Sequence, residues 1–140
     1  MKEFLKVFIA VCIPFFLISC ASDTDHIPPV KNFEPERYMG TWHEIIRLPH
    51  SFEDGLTNVT ATYKIREDGR ISVINKGYKE SAGKWNSIEG YAYFKDDKNI
   101  GELKVVFFWP FAGDYKIIYL DDEYKFAVVT SSRMSYFWLS

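Results

Sequence analysis

From residue 40 onward, apolar and polar residues alternate with a period of two, which is typical of half-buried β-strands and not of helices. The alternation is interrupted repeatedly by short groups of turn residues, so it predicts several short strands. The predicted strands span residues 42–48, 59–65, 71–77, 85–94, 103–107, 115–119, 126–130 and 136–140.

The connections between the predicted strands are short and consist of turn-forming residues. Asp68-Gly69 is a strong hairpin signal, and residues 95–99 and 121–123 form charged turns. Residues 110–113 interrupt the pattern between the fifth and sixth strands. Sequential strands with such connections predict an all-β fold, an eight-stranded up-and-down antiparallel β-barrel, because closure removes the exposed edges of a sheet.

Alternate residues of each predicted strand point into the barrel, and these residues are said to have inward parity. Their side chains decide whether the barrel is filled or hollow. An eight-stranded barrel either fills its interior with side chains or leaves room for one small ligand, and small residues on this face, such as Ala61 and Gly90, are compatible with both. In the hollow case, the aromatic residues line a cavity that suits a long acyl chain with one polar end. The candidate ligand-binding residues are Glu44, Ala61, Val73, Asn75, Ile88, Phe94, Val105, Phe107, Tyr115, Tyr119, Tyr136 and Trp138.

Glu44 and Asn75 are the charged and amide members of this inward set. An inward carboxylate among aromatic residues is costly unless it is paired, hydrogen-bonded or protonated. Glu44 therefore either makes a structural hydrogen bond, to a tyrosine or to Asn75, or lies near the mouth and meets a ligand head group or water. Asn75 is likewise a candidate to orient the polar end of a ligand.

The first twenty residues carry a targeting signal. Lys2 and Lys6 precede an apolar run over residues 7–18, which is shorter than the roughly 20 residues that span a bilayer and indicates a signal peptide, residues 1–19. The run ends in Leu17-Ile18-Ser19-Cys20, which resembles the lipobox of bacterial lipoproteins. The resemblance implies cleavage before Cys20, with diacylglycerol on its thiol and a fatty acid on its new amino terminus.

The rest of the chain divides into a tether and one domain. Residues 20–32 contain Pro28-Pro29 and polar residues without periodicity, which predicts an extended tether, and residues 33–140 form the barrel domain. Ala21, and not Asp, follows the cysteine. Resemblance to the sorting pattern of enteric-type bacteria then implies the outer membrane, in a leaflet that the pattern does not determine.

Composition narrows the chemistry of this domain. The formal net charge of −2 gives no electrostatic footprint for nucleic acid. Cys12 falls in the signal peptide and Cys20 at the lipidation site, so the domain has no disulfide. The histidines, His26, His43 and His50, lack metal-site spacing, and no nucleophile–base constellation or phosphate loop is readable. We therefore predict neither an enzyme nor a metal or cofactor site.

Two segments resemble the signatures of the lipocalins. Gly40-Thr41-Trp42 resembles the Gly-x-Trp core of the first signature, and residues 115–121 followed by Tyr124 resemble the second. Segments between them, such as 107–111, are similar to the bacterial branch of the family. The resemblance implies a ligand-binding calyx with structural signature residues in its closed end and turns. These residues are Gly40, Trp42, Asp121 and Tyr124.

The chain departs from the family pattern at its C-terminal end. The third lipocalin signature is an Arg near the end of the eighth strand that packs on the signature Trp, and a helix then packs on the barrel; this chain reaches Ser140 without either. Either the sequence is truncated or the protein is unusually short. We expect a barrel without its C-terminal helix, in which Trp42 lacks a cation–π partner worth roughly 0.5–2 kcal/mol.

Together these features predict a membrane-anchored protein that sequesters, stores or transports an amphipathic lipid, such as a fatty acid or a lysophospholipid, at the bacterial envelope. The alternative is an interaction protein with a filled barrel, whose loops 49–56 and 79–84 bind another protein. Catalysis on a lipophilic substrate would need an acid–base pair, which the sequence does not show. The pattern leaves the oligomeric state open.

Overall fold

The computed structural model describes residues 26–45 and 55–130 with their side chains, and residues 137–139 by their backbone. A short helix, α1 (Pro35–Tyr38), precedes the strands, and a 3₁₀ turn (Glu80–Ala82) lies between the third and fourth of them. No helix in this part of the chain is long and apolar enough to cross a membrane. The strands are β1 (Gly40–His43), β2 (Leu56–Ile65), β3 (Ile71–Lys79), β4 (Lys84–Phe94), β5 (Glu102–Phe108), β6 (Phe111–Leu120), β7 (Ala127–Thr130) and β8 (Phe137–Leu139).

The strands form one eight-stranded sheet in which each strand pairs antiparallel with the next along the chain. This order confirms the predicted all-β, up-and-down arrangement. Within the described residues, no ladder joins β8 back to β1. The sheet is nevertheless curled, because buried side chains from β2 through β7 pack in one core.

Two glycines take the backbone conformations that the turns of the sequence require. Gly69 has φ +82° in the predicted Asp68-Gly69 turn between β2 and β3, and Asp68 Oδ1 accepts the N–H of Arg70 at 3.0 Å. Gly40, which starts β1 directly after α1, has φ +111°, where an L side chain is strained. The predicted hairpin is confirmed, and the glycine of the first signature has a local structural role.

Most strand boundaries lie within three residues of the prediction, and two differ by more. The break predicted at residues 110–113 is shorter, since β6 already begins at Phe111. The first strand was predicted to reach residue 48, whereas β1 ends at His43, and residues 46–54 lie outside the described part of the chain.

A β-bulge reverses the direction of the side chains near the end of β6. Ile117 pairs with Val129, but the next pair along the ladder is Tyr119 with Val128, so β6 contains one extra residue. Because an extra residue moves the following side chains to the other face of a sheet, Tyr119 is 53% exposed and Leu120 packs against the core in its place. The predicted inward orientation of Tyr119 is therefore wrong.

Phe33, which is 2% exposed, plugs the end of the barrel that carries the β2–β3, β4–β5 and β6–β7 turns, here called the closed end. Its ring lies 5.3, 6.2 and 6.3 Å from those of Tyr38, Phe94 and Tyr124, measured between centroids. Its backbone N–H donates to the carbonyl O of Asn99, in the β4–β5 turn, at 2.8 Å. Burying an aromatic side chain of this size contributes on the order of 1.5–3 kcal/mol, so the plug joins the β4–β5 turn to the β6–β7 turn.

Helix α1 links β1 to the β6–β7 turn beside the plug. The indole Nε1–H of Trp42 donates to the carbonyl O of Tyr38 at 2.8 Å, and the two rings stack with centroids 4.6 Å apart. On the other side, the guanidinium of Arg37 lies 4.1 Å from the centre of the Tyr124 ring and donates to the carbonyl O of Asp122 at 2.7 Å.

Asp121 organises the turn between β6 and β7. Its Oδ1 accepts the backbone N–H groups of Lys125 and Phe126 at 2.7 and 2.6 Å, and its Oδ2 accepts that of Glu123 at 3.3 Å. The bond from Phe126, followed by those from Lys125 and Glu123, holds the pKa of the Asp121 carboxyl below its usual range. Tyr124 takes a left-handed conformation in this turn, with φ +58°.

Three tyrosine hydroxyls meet above the plug, and we call this set the tyrosine layer (Tyr38, Tyr63 and Tyr115). The hydroxyl of Tyr115 is its hub, 2.7 Å from that of Tyr38 and 3.0 Å from that of Tyr63. Burial raises the pKa of Tyr63 to about 12, and it raises the pKa values of Tyr38 and Tyr115 well above their usual range. The layer is therefore a neutral hydrogen-bonded network at ordinary pH.

Removing the hub hydroxyl is expected to cost more stability than removing an outer one. Tyr115→Phe takes the shared partner from both Tyr38 and Tyr63, and each buried polar group left without a partner costs about 1–3 kcal/mol. Tyr63→Phe leaves the bond between Tyr38 and Tyr115 in place. Urea denaturation of both variants measures the difference, and an equal loss in free energy of unfolding would contradict the assignment of Tyr115 as the hub.

The lowered pKa of Asp121 predicts a pH-dependent contribution to stability. Because the folded pKa lies below the unfolded one, the ionised carboxylate stabilises the fold above the unfolded pKa, and this contribution is lost as the pH falls through the folded pKa. We expect Asp121→Asn to lower the thermal midpoint at neutral pH, and the gap to the wild type to close on acidification below about pH 4. Thermal unfolding across this pH range, with Glu123→Gln as the control, measures the gap; a gap that does not depend on pH would contradict the account.

Candidate functional site

A cavity of about 660 Å³ lies between the tyrosine layer and the open end of the barrel, the end that carries the β3–β4 and β5–β6 turns. Tyr63 and Tyr115 form its base. Its volume falls within the roughly 300–1,000 Å³ of typical small-molecule sites. On the other side of the layer, the space among Phe33, Tyr38 and Leu103 measures only about 10 Å³. The barrel is therefore filled at its closed end and hollow above it.

The walls of the cavity differ in polarity. The wall formed by β5 and β6 is mainly aromatic and aliphatic, whereas the wall formed by β3 and β4 carries amide and hydroxyl groups. This arrangement suits a molecule with an apolar part and a hydrogen-bonding part. The apolar wall contains Val105, Phe107, Phe108 and Phe111, and the β3–β4 wall beside it carries the polar groups of Asn75, Asn86 and Ser87.

The register of the sheet places Asn75 and Glu44 at neighbouring inward positions. Asn75 pairs with Ala61 on one side and with Ile88 on the other. Glu44 lies at the next inward position toward the open end, two residue pairs along the ladder, because its backbone N–H donates at 2.9 Å to the carbonyl O of Val59, two residues before Ala61. The two inward polar residues of the sequence are thus brought to the same part of the barrel.

The side-chain oxygen of Asn75 is an acceptor that none of the described residues satisfies. Oδ1 is buried and has no hydrogen-bond partner among the described residues. A buried acceptor left in this state costs about 1–3 kcal/mol, and such groups are few in folded proteins. The Oε2 atom of Glu44 is buried as well. A donor on a bound molecule would satisfy the Asn75 oxygen.

The structure brings half of the predicted ligand-binding residues to this one cavity. They share inward parity in β3 to β6, on the open side of the plug. Whether they contact a ligand stays a prediction. These residues are Val73, Asn75, Ile88, Val105, Phe107 and Tyr115.

The remaining predicted residues lie elsewhere. Ala61 and Phe94 belong to the packed core, and Glu44 is half-buried beside the cavity and does not line it. Tyr119 faces outward because of the bulge. Outside the described residues lie the lipidation site Cys20, Tyr136 and the side chain of Trp138.

The alternation of inward and outward residues did not predict that residues at the turn of the β5–β6 hairpin line the cavity. Phe108 has outward parity on β5, but the register shifts between Val105 and Phe108, and Phe108 pairs with Phe111. Phe111 itself lies in the stretch predicted to interrupt the strands. The density of aromatic residues from Phe107 to Phe111 was the available signal for this part of the site.

The small inward residues serve strand packing. A Cβ atom on Gly90 would lie 2.2 Å from the carbonyl O of Val106 and 2.8 Å from Cδ1 of Phe107, so glycine lets β4 and β5 approach closely. A Cβ atom on Gly77 would lie 3.1 Å from Cδ1 of Leu56. The cavity therefore does not arise from these glycines.

Proteins of similar sequence identify the family to which this chain belongs. The chain matches the lipocalin-like domain family over residues 33–140. It is 47% identical over 140 residues to outer membrane lipoprotein Blc of Citrobacter freundii, an alignment that covers 96% of this chain and 77% of that protein. The protein of the same name from Vibrio cholerae is 45% identical over 134 residues, with 95% of this chain and 78% of that protein covered.

Solved structures share the fold. Insecticyanin from the tobacco hornworm Manduca sexta superposes with a TM-score of 0.64 at 21% identity, covering 81% of this chain and 65% of that one. The cockroach allergen Per a 4 superposes with a TM-score of 0.63 at 19% identity, covering 80% of this chain and 70% of that one. The family match, the bacterial relatives and the curled antiparallel sheet agree: the chain belongs to the lipocalin family, in the branch of the bacterial outer-membrane lipoproteins.

Proposed function

We propose that this protein binds one amphipathic lipid, a fatty acid or a lysophospholipid, and stores or transports it at the bacterial outer membrane. The observation that carries the proposal is the cavity of about 660 Å³, with an aromatic wall beside a wall that bears amides. The names of the bacterial relatives, which are outer membrane lipoproteins, support the location.

The apolar wall supplies the binding energy in this proposal. An acyl chain that leaves water gains about 0.8 kcal/mol for each buried methylene, and side chains such as Val105 and Phe107 offer it an apolar surface. The side chains of Val105 and Phe107 form no hydrogen bonds, so they do not distinguish one acyl chain from another of equal length.

The polar wall selects the head group. Asn75 Oδ1 is a buried acceptor without a partner among the described residues, so it favours a ligand that donates a hydrogen bond. A hydroxyl or amino group of a lysophospholipid, or the protonated carboxyl of a fatty acid, meets this requirement. Asn86 and Ser87, on the same side of the cavity, extend the hydrogen-bonding surface.

The anchor completes the proposal. After removal of residues 1–19, a lipid on Cys20 and the tether of residues 20–32 hold the barrel domain, residues 33–140, beside the membrane. The predicted tether is shorter than its bounds, because Ile27 and Val30 are hydrogen-bonded to the barrel. A tethered site meets its ligand at the effective concentration set by the tether length. The cavity is thereby kept close to a source of amphipathic lipids.

The alternative of an interaction protein with a filled barrel is not favoured, because the interior above the tyrosine layer is hollow. A binding role without catalysis accounts for the cavity. Most of loop 49–56, which that alternative invoked, lies outside the described residues.

Filling the cavity is expected to abolish lipid binding. The described core residues all lie between Phe33 and Val129, so the chain from Asp23 onward keeps them and can be purified without detergent. Native mass spectrometry with organic extraction is expected to find close to one lipid per barrel in the wild type and none in Val105→Trp. Tyr93→Trp, on an exposed position of β4, is the matched control and should retain the lipid.

A folded wild-type protein that carries no lipid and takes up none when a fatty acid or lysophospholipid is added would overturn the proposal. So would lipid retained equally by Val105→Trp and Tyr93→Trp, because that lipid would lie outside the cavity.

The Asn75 acceptor predicts a preference between two ligands of equal chain length. A fatty alcohol donates a hydrogen bond and the corresponding methyl ester does not, so the wild type should bind the alcohol roughly 5- to 150-fold more tightly, as expected for about 1–3 kcal/mol. Asn75→Leu removes the acceptor and should bind both ligands alike. Displacement of a fluorescent fatty acid measures both affinities; an unchanged preference in Asn75→Leu would place the polar contact elsewhere.

A further inference from the structure

The turn between β5 and β6 exposes large aromatic side chains to solvent. Phe108, Trp109 and Phe111 are 59%, 81% and 77% exposed, and we call these three residues the aromatic tip. Single exposed apolar residues are ordinary, but a contiguous exposed group of this size marks an interaction site. A packing role does not account for the tip, because most of its surface faces away from the core.

The aromatic tip is continuous with the mouth of the cavity. Phe108 and Phe111 belong both to the exposed tip and to the cavity lining. Whatever covers the tip therefore also faces the cavity opening. A ligand that passes between the two would remain in contact with aromatic surface.

The neighbouring part of the same rim, at the β3–β4 turn, combines cationic side chains with an exposed aromatic residue. Trp85, at the start of β4, is 51% exposed, and Lys76 Nζ lies 4.9 Å from the centre of its ring. Lys79 and Lys84 flank the 3₁₀ turn on this rim, with Glu80 between them. Exposed Trp together with Lys is the composition of protein surfaces at the level of lipid head groups, where Lys reaches the phosphates.

The closed end presents a different surface. Its exposed charges form ion pairs, such as Arg66 with Asp68 at 2.9 Å and Lys95 with Glu102 at 3.1 Å. Phe126, in the β6–β7 turn of this end, is also aromatic and is 51% exposed. It has no tryptophan beside it in the sequence, whereas Phe108 at the open end is followed by Trp109.

We propose that the aromatic tip inserts into the head-group region of a phospholipid bilayer and that the cavity mouth faces the membrane when it does. This inference goes beyond lipid binding in the cavity, because the tip would dock whether or not the cavity is occupied. It makes the membrane surface itself the partner of the open end.

The proposed anchor is long enough to permit this orientation. Val30 is fixed to the barrel, since its N–H donates to the carbonyl O of Ile117 at 2.8 Å and its own carbonyl O accepts from Gly101 at 2.9 Å. Ile27 is held as well, since its carbonyl O accepts from Lys116 Nζ at 3.1 Å. The seven residues from Cys20 to Ile27 reach at most about 23–25 Å. The distance along the hairpin from Lys116 to Trp109 is at most about 24 Å. Anchor and tip can therefore contact the same bilayer.

A second copy of the chain is the competing occupant of the tip. Two mouths pressed together would bring Lys76, Lys79 and Lys84 of each copy toward those of the other, and like charges oppose such an approach. A bilayer that contains phosphates offers these lysines opposite charge instead. The bilayer is therefore the occupant that the charges favour.

Quenching by brominated lipids tests the proposal on the mature, lipid-anchored protein. The protein is reconstituted into phosphatidylethanolamine–phosphatidylglycerol vesicles with or without bromine on the acyl chains. Trp109 emission is obtained as the difference between the wild type and Trp109→Phe, which keeps an aromatic residue at the tip. We expect bromine to cause a loss of Trp109 emission, and Phe111→Asp to prevent that loss.

Phe126→Asp, which charges an exposed aromatic position at the closed end, is the matched control and should leave the Trp109 quenching unchanged. Equal thermal midpoints of the two Asp variants would show that both are folded. Trp109 emission that bromine does not reduce, or quenching that persists in Phe111→Asp, would overturn the proposal. If bromolipid does not quench Trp109 and the protein sediments as a dimer, the aromatic tip binds a second copy of the chain instead.

The variant Val105→Trp separates the two proposals. If it loses the cavity lipid but shows normal Trp109 quenching, the cavity is blocked while the tip still docks on the bilayer. Conversely, normal lipid content without quenching would leave the cavity function in place and overturn the docking of the tip.

Discussion

The burial of Phe33 at the closed end is the interaction on which the other features of this barrel depend. A curled sheet of sequential hairpins has strong contacts along each ladder but few across its interior. Phe33 supplies such contacts, because its ring meets those of Tyr38, Phe94 and Tyr124 from separate elements. The tyrosine layer lies directly above this plug, and its hub, Tyr115, is also the base of the cavity. The position of the cavity floor thus follows from the packing of one buried aromatic residue.

The period-two pattern predicted the fold because it indicates which face of a strand each side chain occupies, and it predicted the inward residues where the ladders are regular. Val73, Asn75 and Ile88 lie on uninterrupted rungs of β3 and β4, and all three face the cavity as expected. The pattern failed at register shifts. Tyr119 and Phe108 follow shifts in β6 and β5, and a bulge depends on how two backbones pair, which parity along one strand does not encode.

The two ends of the barrel differ in their packing and in their exposed side chains, and this difference connects the structure with the proposed function. The closed end is packed and carries ion pairs on its surface. The open end combines a hollow interior with exposed aromatic side chains at its rim. A protein that exchanges lipid with a membrane needs this combination, because the apolar path from bilayer to cavity then has no polar gap. The anchor of the proposed lipoprotein leaves the barrel free to turn that end toward the membrane.

The most direct test of the account is a crystal structure of the protein grown with a lysophospholipid. The account predicts the acyl chain above the tyrosine layer, in contact with Val105 and Phe107, and a donor group of the head within hydrogen-bond distance of Asn75 Oδ1. A structure in which side chains fill the interior, or in which the lipid binds only to the outer surface of the barrel, would contradict it.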